Sequence, residues 1–233
     1  MRKQRSSTVD IELPHGPEGL RAFCTFSNLR HYLHREKQAD PRHPRSETVP
    51  LSQFFDDASQ QSYRVLQLVK RHHRLSKDEE IQLSSAVHEV CQNIHDHAES
   101  PIGGISCSRF FSKSREVRVA VVDSGQTISG SLGKAAKYAG TSDTDALELV
   151  CQGKHTSRSR RHNMGLGISN LIAVVRALTG RVAIVSGQAA AVLEATHVAA
   201  GSGLEPPAIK TLDWRFPGTG VFFTLVVTND LPD

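Results

Sequence analysis

The stretch SKDEEIQLSSAVHEVCQNIHDHA, residues 76–98, is where the fold can first be read. Ser76 precedes a charged first turn, and Glu79 stands where its carboxylate can reach back to the Ser76 amide. That pairing is the capping box that opens a helix. Leu83, Val87, Val90, Cys91, Ile94 and Ala98 then recur on one side, the apolar stripe of a core helix. PIGG (101–104) ends it. Within the helix, Glu89, Asn93 and His97 are spaced by four. A helix advances roughly 100° per residue, so they form one inclined row. The row borders the apolar stripe, where side chains can enter a cleft while the other edge packs on a sheet. An Asn carbonyl oxygen suits magnesium, a hard cation, and a neighbouring Glu can orient or deprotonate a water. A solvated helix edge would carry the same ExxxN pattern, so the pattern alone does not decide.

Reading onward, ISCSRFF (105–111) and EVRVAVV (116–122) have strand character. The second delivers Asp123 into a turn-rich loop, DSGQTISGS (123–131), and Gly125 permits close approach to the backbone. A carboxylate at the mouth of a pocket can accept a hydrogen bond from an amino group such as that of adenine; an ordinary Asp-Gly turn is the plainer alternative. DALELVCQG (145–153) reads as a short helix and KHTSRSRRHN (154–163) as a basic loop. GLGISNLIAVVRALTG (165–180) opens on glycines and continues as a helix. Amides at such an N-terminus can receive an anion, and Lys154, Arg158, Arg160 and Arg161 lie just before it. RVAIVSG (181–187) is a strand, followed by an Ala/Gly-rich segment. In FPGTGVFFTLVV (216–227), Gly218 and Thr219 precede the last strand, placing a hydroxyl where it can meet a base held on the sheet. Strands, a helix, then more strands predict an α/β (α+β) fold: a two-layer sandwich of a mixed sheet with helices on one face.

Toward the N-terminus, residues 1–9 read as a frayed basic tail and IELP (11–14) as a short strand. PEGLRAFCTFSNLRHYLHRE (17–36) reads as an amphipathic helix, and KQADPRHPRSETVP (37–50) as a loop. From Leu51 to Leu75 the pattern predicts a helix with Phe54, Phe55, Tyr63, Val65, Leu66, Leu68 and Val69 as its apolar positions. Residues 1–75 are therefore set apart as a largely helical extension, and 76–233 as the main domain.

Composition narrows the function. The chain has 233 residues, 38% hydrophobic and 22% charged, ordinary for a globular protein. A net charge of +4 with 6% aromatics argues against nucleic-acid binding, which wants a basic surface and stacking side chains. Cys24, Cys91, Cys107 and Cys151 make no CxxC pair, which fits a reducing cytoplasm. His88, Cys91 and His95 share one side of a helix, but zinc ordinarily takes four ligands and no fourth is evident. No signal peptide is visible, and the apolar runs NLIAVVRAL and GVFFTLVV are too short to span a bilayer. Gly133-Lys134 is followed by Ala135, so there is no P-loop.

ExxxN on a helix, DxG after a strand, a long variable segment, GxG opening a helix and GT before a final strand occur here in order. This layout resembles the GHKL, or Bergerat-fold, ATPases, over about residues 76–228. Within that superfamily the chain looks most like the stand-alone bacterial ATP-binding proteins and anti-sigma-factor kinases with a histidine-kinase-like ATP-binding domain. The resemblance implies ATP and Mg2+ as ligands, with Asn93 on the metal and Glu89 as general base. It implies His97, Gly165, Leu166 and Gly167 near the phosphates. It implies Asp123 on the adenine amino group, Gly125 beside the ring, and Thr219 supporting the adenine side. Residues 130–163 would be the ATP lid. Thr127 stands where the family's DxGxG has its second glycine, and Asp96 where many sensor kinases carry a basic residue. The expected function is ATP hydrolysis or phosphoryl transfer to a protein in a regulatory system, with a STAS-like or other regulatory protein as partner. A homodimer is compatible with it. A non-catalytic, nucleotide-switched interaction module is the alternative.

Overall fold

The computed structural model describes residues 47–153, 167–194 and 206–227. The elements are, in order, β1 (Thr48–Phe54), α1 (Ala58–Lys70), α2 (Lys77–Asn93), β2 (Gly104–Phe111), β3 (Glu116–Asp123), α3 (Ile128–Leu132), α4 (Asp143–Cys151), α5 (Gly167–Ala177), β4 (Arg181–Glu194) and β5 (Ala208–Val226). The capping box at α2 forms as its residues dictate: Glu79 N–H donates to Ser76 Oγ at 3.3 Å, and Ser76 N–H donates to Glu79 Oε2 at 2.7 Å. The Ser76 amide and hydroxyl hold the Glu79 carboxyl below its ordinary value. The apolar stripe from Leu83 to Ala98 is buried throughout.

Two layers result. The sheet order is β1-β2-β3-β5-β4, and each neighbouring pair is antiparallel. The sheet is therefore antiparallel rather than mixed. The reason lies in β5, which inserts between β3 and β4 and runs against both. β3 and β4 do point the same way, as a helix-linked crossover demands, but they never touch as neighbours. Val117, Val119 and Val121 of β3, Val221, Phe223 and Leu225 of β5, and Val182 and Ile184 of β4 are buried beneath the helices. Alternate positions, such as Arg118 and Phe222, are exposed. Leu83, Leu147, Leu171 and Leu225 are fully buried, each contributing about 1.5–3 kcal/mol by removal from water.

The stretch from Leu51 departs from its predicted helix. Residues 48–54 form an edge strand, and α1 starts only at Ala58, where Asp57 accepts a hydrogen bond from Gln60 N–H at 3.0 Å. Pairing with β2 along Gly104–Arg109, a contact far off in sequence, takes these residues into the sheet. Pro50, which has no amide proton to donate, is accommodated at the edge, where the register shifts between Val49 and Ser52. Phe55 and Tyr63, expected in the core, are 56% and 60% exposed. Phe54, Val65, Leu68 and Val69 join the same core as α2. Inside it, the Gln61 carboxamide oxygen accepts from Ser106 Oγ at 2.8 Å and Ser52 Oγ at 3.1 Å, tying α1 to β1 and β2.

Three further differences bear on the site. α2 passes at Ile94 into a π-helical turn ending at Ala98, followed by Glu99 at φ 49°, so His97 does not continue the α-helical row of Glu89 and Asn93. The predicted loop after Asp123 contains α3, N-capped by Thr127. Gly218 and Thr219 lie inside β5, with Thr219 opposite Ser186 in the interior of β4, rather than before the strand. The predicted elements at 11–14 and 17–36 and the basic loop at 154–163 lie outside the described residues. Among the described residues no helix is long and apolar enough to cross a membrane.

Candidate functional site

β3 ends on Asp123, whose side chain is almost fully enclosed at 6% exposure. Gly125 N–H donates to its Oδ1 at 2.8 Å, and the Thr219 backbone N–H donates to it from β5. Burial pushes the Asp123 carboxyl up to about 6, against the two amides, which favour its charged form. Two glycines make the arrangement possible. Gly218 takes φ +98°, and a Cβ there would collide with the Asp123 backbone. A Cβ on Gly125 would collide with the Ala98 carbonyl, which accepts from Gln126 N–H at 2.7 Å.

Asp123 opens onto a cavity of about 120 Å³ between the helices and the sheet, several times what one water needs. Its walls are mainly apolar: Val90, Ile94 and Ala98 on the α2 side, Val121 and Val221 from the sheet, Ile128, Leu132 and Val150 from the covering segment, and Ile168 from α5. Asn93, His97, Asp123, Gln126, Thr127, Ser131 and Thr219 supply the polar groups. A few convergent polar groups in an apolar enclosure, one of them a carboxyl with a raised pKa, are the features of a ligand site.

The predicted residues are brought together as follows. Asn93, His97, Asp123 and Thr219 line the one cavity, with Gly125 behind Asp123. Glu89 stands one turn before Asn93, beside the start of α5 rather than in the cavity wall. There Asn170 Nδ2 donates to Glu89 Oε2 at 3.4 Å. Gly167, the first residue of α5, is packed so closely that a Cβ would lie 3.0 Å from Glu89 Cβ and 3.2 Å from Asn93 Nδ2. Gly165 and Leu166 lie outside the described residues. Asp96 accepts from Gln92 Nε2 at 3.2 Å. His88, Cys91 and His95 do not gather: Cys91 is buried in the core, its thiol pushed up to about 12 by burial, while His95 is exposed. No metal-binding cluster of three such side chains occurs among the described residues.

Sequence reasoning missed Gln126, Ser131 and Ser186. Gln126 Nε2 donates to the His97 carbonyl. Ser186, 1% exposed, accepts from Ile128 N–H at 2.9 Å, donates to the Gly218 carbonyl at 3.2 Å, and lies 3.1 Å from Thr219 Oγ1. Nothing distinguishes such residues in sequence, because their partners lie far away in the chain and only the tertiary fold makes them neighbours. The sequence matches no protein-family model, and no curated protein matches it significantly.

Proposed function

We propose that this chain binds Mg-ATP in the Asp123 cavity and uses it in a regulatory system, by hydrolysis or by phosphoryl transfer to a protein. The observation that carries the reading is Asp123 itself, a buried carboxyl fixed by two amides at the end of an apolar slot, with Asn93 and His97 in the same wall. An apolar slot accepts the faces of a flat heterocycle. A carboxylate at its end accepts from the exocyclic amino group of adenine, which selects adenine over a base with a carbonyl there. Thr219, on the adjacent strand, faces the same end of the slot.

The other end suits phosphates. Asn93 offers a carbonyl oxygen, the donor type magnesium prefers, and would hold the ion together with phosphate oxygens. The metal's contribution would be to neutralise phosphate charge. The start of α5, close against Glu89 and Asn93, brings a positive helix terminus to the same place. Glu89, outside the wall but beside this end, is positioned to take the proton from an attacking water or protein hydroxyl. The resemblance to GHKL ATPases in motif order supports the same reading, and a STAS-like regulatory protein is the partner it suggests.

Calorimetric titration with Mg-ATP, with Asp123→Ala as control, tests the reading. Saturable binding that the variant loses supports it; no binding by folded wild type removes it. The second reading is a non-catalytic module in which nucleotide switches affinity for a protein partner. Thr127 favours it, since the residue replacing the family's glycine caps α3 and fixes the start of the covering segment. ATP would then promote complex formation without release of phosphate.

A further inference from the structure

The covering segment, residues 128–151, supplies Ile128, Ser131, Leu132 and Val150 to the cavity wall. It has a small core of its own, in which Leu132, Tyr138 and Ala146 are buried together. Besides the packing of Leu147 into the main core, the Ile128 N–H to Ser186 Oγ bond and the Lys134–Glu99 ion pair, one side chain joins the two parts of the segment to the β4–β5 hairpin. Asp143, the first residue of α4, accepts from Ser129 Oγ of α3 and from Gln188 N–H of β4 at 2.9 Å. Arg215 of β5 brings Nη1 to 3.5 Å of the same carboxylate, which is largely enclosed.

The backbone is shaped to admit this carboxylate. The β4–β5 register is interrupted on both sides of Gly187, which pairs with Phe216, while Ala189 already pairs with Thr211. Residues 212–215 bulge out at that point and carry Arg215. Gly187 takes φ +60°, and a Cβ there would overlap the Asp143 carboxylate. The contact continues into the cavity. Ser129 Oγ lies 2.9 Å from Thr127 Oγ1, and Thr127 lines the wall.

We infer that Asp143 is a positioning residue that clasps the covering segment to the β4–β5 hairpin and thereby holds that segment over the cavity. It lies outside the cavity wall; it acts through Ser129 and Thr127 on one side and the strand bulge on the other. That the seated segment governs passage of nucleotide rests on the ATP reading above.

The test compares the full chain with Asp143→Ala, Asp143→Asn and Arg215→Ala in two measurements. The first is amide hydrogen exchange without ligand. Asp143→Ala is expected to raise exchange by about tenfold, the loss of a charge-assisted contact, within residues 127–151 and not in α2 or β3. Asp143→Asn keeps an acceptor and loses the ion pair, so it should fall between. Arg215→Ala should fall between as well, and it carries the test if Asp143→Ala fails to fold. Unchanged exchange, or a rise spread evenly over the chain, overturns the clasp. The second measurement is stopped-flow displacement of a fluorescent ribose-labelled ATP. Dissociation should accelerate in the same order. If wild type binds the probe and the variants release it at the wild-type rate, the clasp does not gate the cavity and the inference fails while the ATP reading stands. If wild type binds no probe, the ATP reading fails, and the exchange pattern alone decides the clasp.

Discussion

Asp123→Asn separates the stability of this fold from its proposed function. In the folded chain the carboxyl titrates at about 6 instead of its ordinary 3.8, chiefly because it is buried. That interval, at 1.36 kcal/mol per pH unit, corresponds to about 3 kcal/mol. The carboxylate borders the cavity, and screening there reduces the expected effect to about 2 kcal/mol. The sign follows from proton counting. Between 3.8 and about 6 the folded state binds more protons than the unfolded state, so stability falls as pH rises through that window. The protonated group's contribution is fully present below 3.8 and lost above about 6. An asparagine of the same shape carries no charge and escapes that loss. Urea unfolding of wild type and Asp123→Asn at pH 4, 5, 6 and 8 should show the variant gaining from pH 4 to about 6 and then levelling off at about 2 kcal/mol. The same variant should lose Mg-ATP binding, because an amide cannot replace the carboxylate as acceptor while keeping both backbone amides satisfied. Wild-type binding should tighten as pH rises through 6 and then level off. A stability difference that does not change with pH, or a less stable variant at pH 8, would refute the burial argument.

Other substitutions test single links. Glu89→Gln should abolish ATP turnover, measured as phosphate release, while calorimetric affinity stays within a few-fold of wild type; undiminished turnover would remove its assigned role. Gly167→Ala places a methyl 3.0 Å from Glu89 Cβ. It should cost about 1 kcal/mol in urea unfolding through overpacking and weaken Mg-ATP binding by prising α5 from α2. Ser76→Ala removes one half of the capping box and should cost about 1 kcal/mol with no effect on binding. Leu83→Ala, at a fully buried position in α2, should cost 2–5 kcal/mol by thermal or urea unfolding.

What could be read from sequence was local. The capping box, the stripe of α2, the two strands leading to Asp123 and the helix after Gly167 each depend on residues near one another in the chain, and they stand where their patterns put them. Asn93 and Asp123 are visible as candidates because each sits at the end of such a pattern, and Thr219 through its Gly-Thr pair, although it lies within β5. The misses are of two kinds. Pro50 reads as loop punctuation in sequence although an edge strand accommodates it equally well, and the strand nature of 48–54 shows only through its pairing with β2. The others are contacts across long sequence separations. Ser186 beneath Ile128 and Asp143 against Gln188 depend on how β5 enters the sheet and where its bulge falls, which no periodicity records.

The place of β5 has a consequence for how the chain comes to life. The strand made last in the described fold fills the gap between β3 and β4, which without it would stand two strand spacings apart, about 10 Å, each with an open edge. It also carries the amide of Thr219 that secures Asp123. A nascent chain that has emerged only as far as β4 therefore has every helix among the described residues and most of the described core, yet neither a continuous sheet nor a finished pocket. Such a species exposes strand edges that invite pairing with other chains. Ribosome-bound chains ending before residue 208 should stay protease-sensitive and bind no nucleotide, and both properties should change together once residue 226 has cleared the exit tunnel.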